Sequence, residues 1–343
     1  MRFVLEWCSG WRFNLFRNMK VQALQFKEFG KPDKVLEFEE LDLKGTEQDE
    51  VLVKMLAAPI NPSDLGTIGG SYGVLPELPG VGGLEGVGEV LEVGDNVEGM
   101  EVGDWVMMPP ELGTWRSHAV CGVEKLEKVP GGLPVEQTAM GAVNPLTAEL
   151  LLEKLTKDGD WFVQNAANSA VGIAMIQIAK SKGIPSVNLV RRKELIEPMQ
   201  ALGADYVFLD EEEAVKKIRG LEAELGRPSH AFNSVGGQSA YRLAKMLRQG
   251  GQHITYGAMT SEPVRFPTRY LIFDDIQFSG FWVTRWRKNS PPDVVRSSQQ
   301  KIYDYMKQGV LSLPVEATYP LADFAKALQH NARPRLGKIL FVT

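Results

Sequence analysis

The sequence predicts an α/β fold in two parts, a β-rich lobe followed by a doubly wound parallel sheet. Three observations carry that expectation. The chain is 343 residues long, and beyond roughly 250–300 residues a single hydrophobic core tends to split into two domains. From Met19 to about Val143, short apolar runs are separated by glycine and proline, the rhythm of strands and turns. From Trp161 onward, apolar runs of strand length alternate with helical periodicity, which calls for a parallel sheet covered on both faces.

Taken in order, residues 21–26, 50–58, 86–93, 104–108 and 115–120 read as the strands of the first lobe. In the second, strands at 161–164, 186–190, 206–209, 231–234, 253–256 and 276–281 alternate with helices at 171–182, 195–202, 212–225 and 240–247. Two helical patterns, 292–309 and 321–330, and a closing strand, 337–342, complete the chain. The first 18 residues mix Arg2, Arg12 and Arg17 with Trp7, Trp11, Phe13 and Phe16 and hold a single acid, Glu6. They read either as a basic targeting peptide or as an extension upstream of a start at Met19.

Composition excludes several classes of function. Hydrophobic residues make up 44% and charged residues 24%, the balance of a chain that buries a core. A net charge of -5 gives no field that attracts phosphate backbones, so nucleic acid is not an expected partner. Cys8 and Cys121 are the only cysteines, too few for a disulfide framework or a multi-thiolate zinc site. No run approaches the ~18 apolar residues of a membrane span.

The motif with chemistry in it follows the strand at 161–164. Asn165-Ala166-Ala167-Asn168-Ser169-Ala170-Val171-Gly172 is a turn of small residues opening a helix. That arrangement holds a dinucleotide pyrophosphate, because small side chains let the backbone approach and the helix end supplies unpaired amides. Ser169 and Ala170 stand where glycines are usual, and Gly172 remains for close packing of helix on strand. About twenty residues on, the second strand ends in Val190-Arg191-Arg192-Lys193. Cations there pair with a 2'-phosphate, whereas an acid would bind a free ribose hydroxyl, so the cofactor expected is NADPH.

With these segments, Ile60-Asn61-Pro62-Ser63-Asp64, Gly70-Ser71-Tyr72-Gly73, Leu75-Pro76-Glu77-Leu78-Pro79, Asn144-Pro145-Leu146-Thr147-Ala148, Tyr256-Gly257-Ala258-Met259 and Gly280-Phe281-Trp282 occur in order. From Met19 to Thr343 the chain resembles the zinc-free medium-chain dehydrogenases/reductases, and within them the mitochondrial-type trans-2-enoyl thioester (enoyl-CoA/ACP) reductases. The resemblance implies a GroES-like catalytic domain over residues 19–143 and a Rossmann NADPH-binding domain over 144–288. It further implies a segment, 289–343, that returns to the catalytic domain, and a homodimer formed through the edge strand of the nucleotide domain. The implied activity is NADPH-dependent reduction of the 2,3 double bond of an enoyl thioester, carried on CoA or acyl carrier protein, in fatty-acid synthesis. Its location would be the mitochondrial matrix if residues 1–18 are a targeting peptide in a eukaryotic chain, and the cytoplasm in a bacterium.

The metal expectation comes from the residues themselves. Where zinc-dependent relatives carry Gly-His-Glu, this chain has Gly83-Leu84-Glu85, and leucine cannot ligate zinc, so no metal is expected. A proton must then come from a side chain. The resemblance assigns that role to Tyr72; hydride addition to Cβ leaves an enolate that needs a proton at Cα, and a phenol keeps its proton at pH 7. It also implies cofactor contacts from Asn144 at the nicotinamide amide, from Asn168, Ser169, Ala170 and Val171 at the pyrophosphate, and from Arg191, Arg192 and Lys193 at the 2'-phosphate. Tyr256, Gly257, Ala258 and Met259, with Phe281, Trp282, Val283 and Thr284, would line the nicotinamide end, and Lys338 in the returning tail completes the set. Arg285, Arg287 and Lys288 form a basic stretch that could meet an acidic carrier protein. Two rival readings are a quinone or enone oxidoreductase of the same zinc-free branch and a non-catalytic NADPH-binding protein.

Overall fold

The computed structural model describes residues 19–260 and 262–343. The two readings of residues 1–18 lie outside them.

The first lobe is built on antiparallel pairing. Glu50–Pro59 is its spine, flanked by Val87–Val93 and His118–Gly122 and joined on its other part by Lys338–Val342 from the chain's end. The expected strand at 115–120 begins later, at His118, because the Trp115 backbone bonds sideways. Its N–H donates to the Gly82 carbonyl at 2.8 Å and its carbonyl accepts from the Leu24 N–H at 2.9 Å. A strand absent from the sequence reading, Leu36–Leu43, pairs along its whole length with Met19–Phe26.

The second lobe holds six parallel strands: Phe162–Gln164, Ser186–Val190, Tyr206–Leu209, His230–Asn233, Gln252–Thr255 and Gln277–Gly280. Numbered along the chain, they lie in the order 3-2-1-4-5-6, the doubly wound arrangement whose strand order reverses beside the first strand. The helix expected at 212–225 breaks into Glu212–Gly220 and Glu222–Leu225, at a glycine that disfavours the helix.

Several helices were hidden from periodicity, two of them beside the site. All nine residues of Asn144–Leu152 are buried, so the helix has no polar face to reveal it. Val283–Asn289 carries the basic stretch of Arg285, Arg287 and Lys288, for which the sequence reading gives no helix. The long helix Pro292–Lys307 packs against Asn144–Leu152, sharing a core that includes Leu146, Leu151, Ile302 and Tyr303. The chain rejoins the first sheet at Val315–Pro320, which runs parallel to Lys338–Val342.

Candidate active site

Most of the implied cofactor residues stand at one edge of the parallel sheet, just beyond the carboxyl ends of its strands. Asn168 to Val171 follow Phe162–Gln164, Arg191 to Lys193 follow Ser186–Val190, Tyr256 to Met259 follow Gln252–Thr255, and Phe281 to Thr284 follow Gln277–Gly280. Local chemistry shapes the turn. Ala166 adopts φ +46°, and Ser169 caps the helix Ala170–Ser181 by accepting from the Gly172 N–H at 3.1 Å. A Cβ at Gly172 would lie 2.5 Å from the Ala167 carbonyl oxygen, so only glycine lets the helix sit this close to the strand. Val171 and Val283 turn their side chains into the core.

The polar groups around this edge fit a dinucleotide. The Tyr256 hydroxyl is buried beside Ser169 and Ser234 without a hydrogen-bond partner, and burial pushes its phenol above the ordinary range. Arg191 and Lys193 are exposed, and Arg192 donates to the Arg335 carbonyl at 3.3 Å while pairing with Glu194 at 3.1 Å. Sequence reasoning missed Asn165, which ties the first and fourth strands at the point of reversal. It donates to the Asn233 and Ser239 side chains, at 2.8 Å each, and accepts from the Ser234 N–H at 2.8 Å.

Tyr72 reaches the same region from the first lobe. The helix Pro62–Ile68 ends at Gly69, Gly70 takes φ +74°, and the Ser71 N–H bonds back to Gly66, which sets the direction of the next side chain. The Trp282 indole N–H donates to the Tyr72 hydroxyl at 2.8 Å, and the rings meet edge to face with centroids 5.7 Å apart. Gly73 permits this approach, since a Cβ there would lie 2.9 Å from the indole. Of the basic residues after Trp282, Arg285 and Lys288 are exposed and Arg287 is tied to its neighbours. Arg285 lies over the Trp282 ring, and Arg287 donates to the Gln299 side chain at 2.6 Å and the Ala142 carbonyl at 3.2 Å.

Between the lobes lies a buried polar network, of which the sequence reading named only Asn144 and Lys338 as site residues. Asn61, Asp64, Glu85, Asn144 and Lys338 are all buried. The Lys338 ammonium donates to the Ile60 carbonyl at 3.1 Å and to the Asn61 side-chain oxygen. The register that sets Leu340 opposite Pro59 puts it there. Asn61 donates to Glu85 at 2.9 Å and accepts from Asn144 at 2.9 Å. Glu85 also accepts from the Val143 N–H at 2.7 Å. Burial pushes the Asp64 and Glu85 carboxyls up and the Lys338 ammonium down. Among the described residues, no three His, Cys, Asp or Glu side chains are grouped so as to hold a metal ion.

Known proteins place this architecture. Residues 47–143 match the alcohol dehydrogenase GroES-like domain and residues 170–299 the zinc-binding dehydrogenase family. The mitochondrial enoyl-[acyl-carrier-protein] reductase of Rattus norvegicus is 42% identical over 92% of this chain and 86% of its own. The chain belongs to the mitochondrial-type enoyl thioester reductases. Among solved structures, Etr1p of Candida tropicalis, in complex with NADP and crotonyl-CoA, superposes on this reductase with a TM-score of 0.87 at 31% identity, over 95% of this chain and 100% of that one. Etr1p is also recorded as a heterodimer with Etr2p. A putative NADPH:quinone reductase from Bacillus thuringiensis superposes with a TM-score of 0.86 at 27% identity, covering 95% of this reductase and 99% of its own chain. Fold alone therefore does not separate the two acceptors, and residues at the site must.

Proposed function

We propose that this reductase uses NADPH to reduce the 2,3 double bond of trans-2-enoyl thioesters in fatty-acid synthesis, with Tyr72 as the proton donor. The observation that carries the reading is the Tyr72–Trp282 hydrogen bond of 2.8 Å, which holds a phenol of one lobe over the nucleotide-binding edge of the other. When bound, NADPH supplies the hydride to Cβ. The residues around it divide the remaining work. Backbone amides at Ser169 to Val171 receive the pyrophosphate, Arg191, Arg192 and Lys193 receive the 2'-phosphate, and Asn144 and Lys338 hold the cofactor from the junction side. Tyr72 gives its proton to Cα. Because the indole N–H already donates to the phenol oxygen, the phenol proton is free for substrate, and the same N–H stabilises the oxygen after the proton leaves.

A quinone acceptor needs no such donor, and a non-catalytic binder would have no use for one. The deciding experiment follows NADPH oxidation with crotonyl-CoA, hexenoyl-CoA and a quinone, in the unaltered chain and in Tyr72→Phe. Thioester turnover should fall by ~100-fold or more in the variant while NADPH still binds. Turnover of the quinone alone would move the function to the rival reading.

Two finer points belong to the same proposal. The strand Gln277–Gly280 ends the parallel sheet, and beside it Leu271, Ile272 and Phe273 are 54%, 65% and 69% exposed, which supports a homodimer formed across this edge. The rat relative's mitochondrial location and the Arg-rich composition of residues 1–18 support a mitochondrial address.

A further inference from the structure

We propose that Asn61 and Glu85 are positioning residues that fix the side chains of Asn144 and Lys338, and through them carry the first lobe's hold on the cofactor. The inference rests on the reading above that Asn144 and Lys338 contact NADPH.

The hydrogen-bond pattern permits one orientation of the Asn61 amide. The Lys338 ammonium can only donate, so the Asn61 carbonyl must face it and the Asn61 NH2 faces Glu85, at 2.9 Å. The carbonyl end then faces two donors, the Asn144 NH2 at 2.9 Å and the Lys338 ammonium. Were the amide reversed, its NH2 would meet both donors and its oxygen would meet a carboxylate. Glu85 thus holds the Asn61 NH2, and the oriented Asn61 oxygen holds its two neighbours.

Glu85 acts on Asn144 by a second route. One carboxylate oxygen holds Asn61, and the other accepts the Val143 N–H at 2.7 Å, immediately before the helix Asn144–Leu152 begins. The backbone just ahead of Asn144 and, through Asn61, its side chain are thereby tied to one buried carboxylate. The Asn144 side chain makes one hydrogen bond, its NH2 donating to Asn61. It keeps a donor and an acceptor for a carboxamide-like group. Lys338 spends two of its three hydrogens, on Ile60 and Asn61. The third remains for an oxygen of the ligand.

The test is a double-mutant cycle read by NADPH binding, using the fluorescence of the bound nicotinamide, so that no enoyl substrate enters. Glu85→Gln is nearly isosteric but turns an NH2 toward either Val143 or Asn61, which undoes the fixed orientation. Loss of one oriented hydrogen bond should weaken NADPH binding by about tenfold. In an Asn144→Ala background the same change should cost about threefold or less, because part of its route is gone. An equal penalty in both backgrounds overturns the proposal, since a merely structural role is additive. If Glu85→Gln does not fold, Asn61→Ser, which cannot span from Glu85 to Asn144, replaces it in the cycle with the same criterion. Absence of NADPH binding to the unaltered chain would overturn the cofactor reading and this one together, whereas intact binding with additive penalties overturns this one alone.

Discussion

Trp282 donates its indole N–H to the Tyr72 hydroxyl, so the phenol cannot give its own proton back to the indole and holds it for a third group. Trp282→Phe keeps a ring against Tyr72 and Gly73 but removes that donor. Steady-state turnover of crotonyl-CoA should fall by about tenfold, the worth of one hydrogen bond to a developing oxyanion, and NADPH affinity should change less than turnover. A variant with unchanged turnover would show that the indole only packs. The family resemblance, through the glycine-flanked loop, is what singles out Tyr72 in the sequence. Its pairing with Trp282, a residue the same resemblance sets at the nicotinamide end, is not legible there, because the two residues are 210 positions apart and no local pattern links them. Asn61 and Glu85 left a fainter signal: polar residues in apolar surroundings, which a folded chain buries only when they are hydrogen-bonded.

Among the elements, the strand-turn-helix at Phe162–Gln164 and Ala170–Ser181 was readable because its glycine is a packing requirement as well as a motif position. Gly172→Ala would force a Cβ to 2.5 Å from the Ala167 oxygen, and stability should drop by about 1–3 kcal/mol in urea titration, with weaker NADPH binding. An undisturbed unfolding midpoint would remove the close-packing argument. The strand Gln252–Thr255 carries a different liability. His253 is buried between Phe266 and Phe278 and donates from Nε2 to the Ala240 carbonyl, and burial pushes its imidazole down to about 4 from the ordinary 6.5. Above pH 6.5 neither folded nor unfolded chain is protonated there, so its stability is fully present. Below that pH the unfolded chain takes up a proton that the folded chain refuses until about pH 4, so stability is lost as pH falls through this window. The total is on the order of 3 kcal/mol. His253→Phe should flatten the pH dependence of unfolding between these limits, and an equally steep variant would place the acid sensitivity elsewhere. Asn144–Leu152, buried on every side, shows why elements escape notice: periodicity reports a boundary between core and water, and this helix has none.

For the whole molecule, the site exists because the chain leaves the first lobe, forms the second and comes back. The return strand Lys338–Val342 lies against Glu50–Pro59, and only that register brings the Lys338 ammonium to Ile60 and Asn61. The outer edge of the parallel sheet poses a question at the same scale, since an unpaired strand beside exposed apolar side chains is an association surface. Phe273→Asp combined with Ile272→Asp should shift the sedimentation coefficient from that of a dimer to that of a monomer. A parent chain that already sediments as a monomer would end the homodimer reading.

By itself the sequence determined the α/β class, the alternation that builds the parallel sheet, the cofactor turn, and the cations that favour NADPH. Each rests on neighbours in the chain, where hydrophobic period, turn chemistry and charge are local quantities. The tertiary structure alone decided which distant side chains meet: Trp282 with Tyr72, Asn165 with Asn233, and Lys338 with Asn61 beside Glu85. Those contacts join residues that only strand register and the packing of two lobes bring within hydrogen-bonding distance, and no periodicity along the chain encodes them.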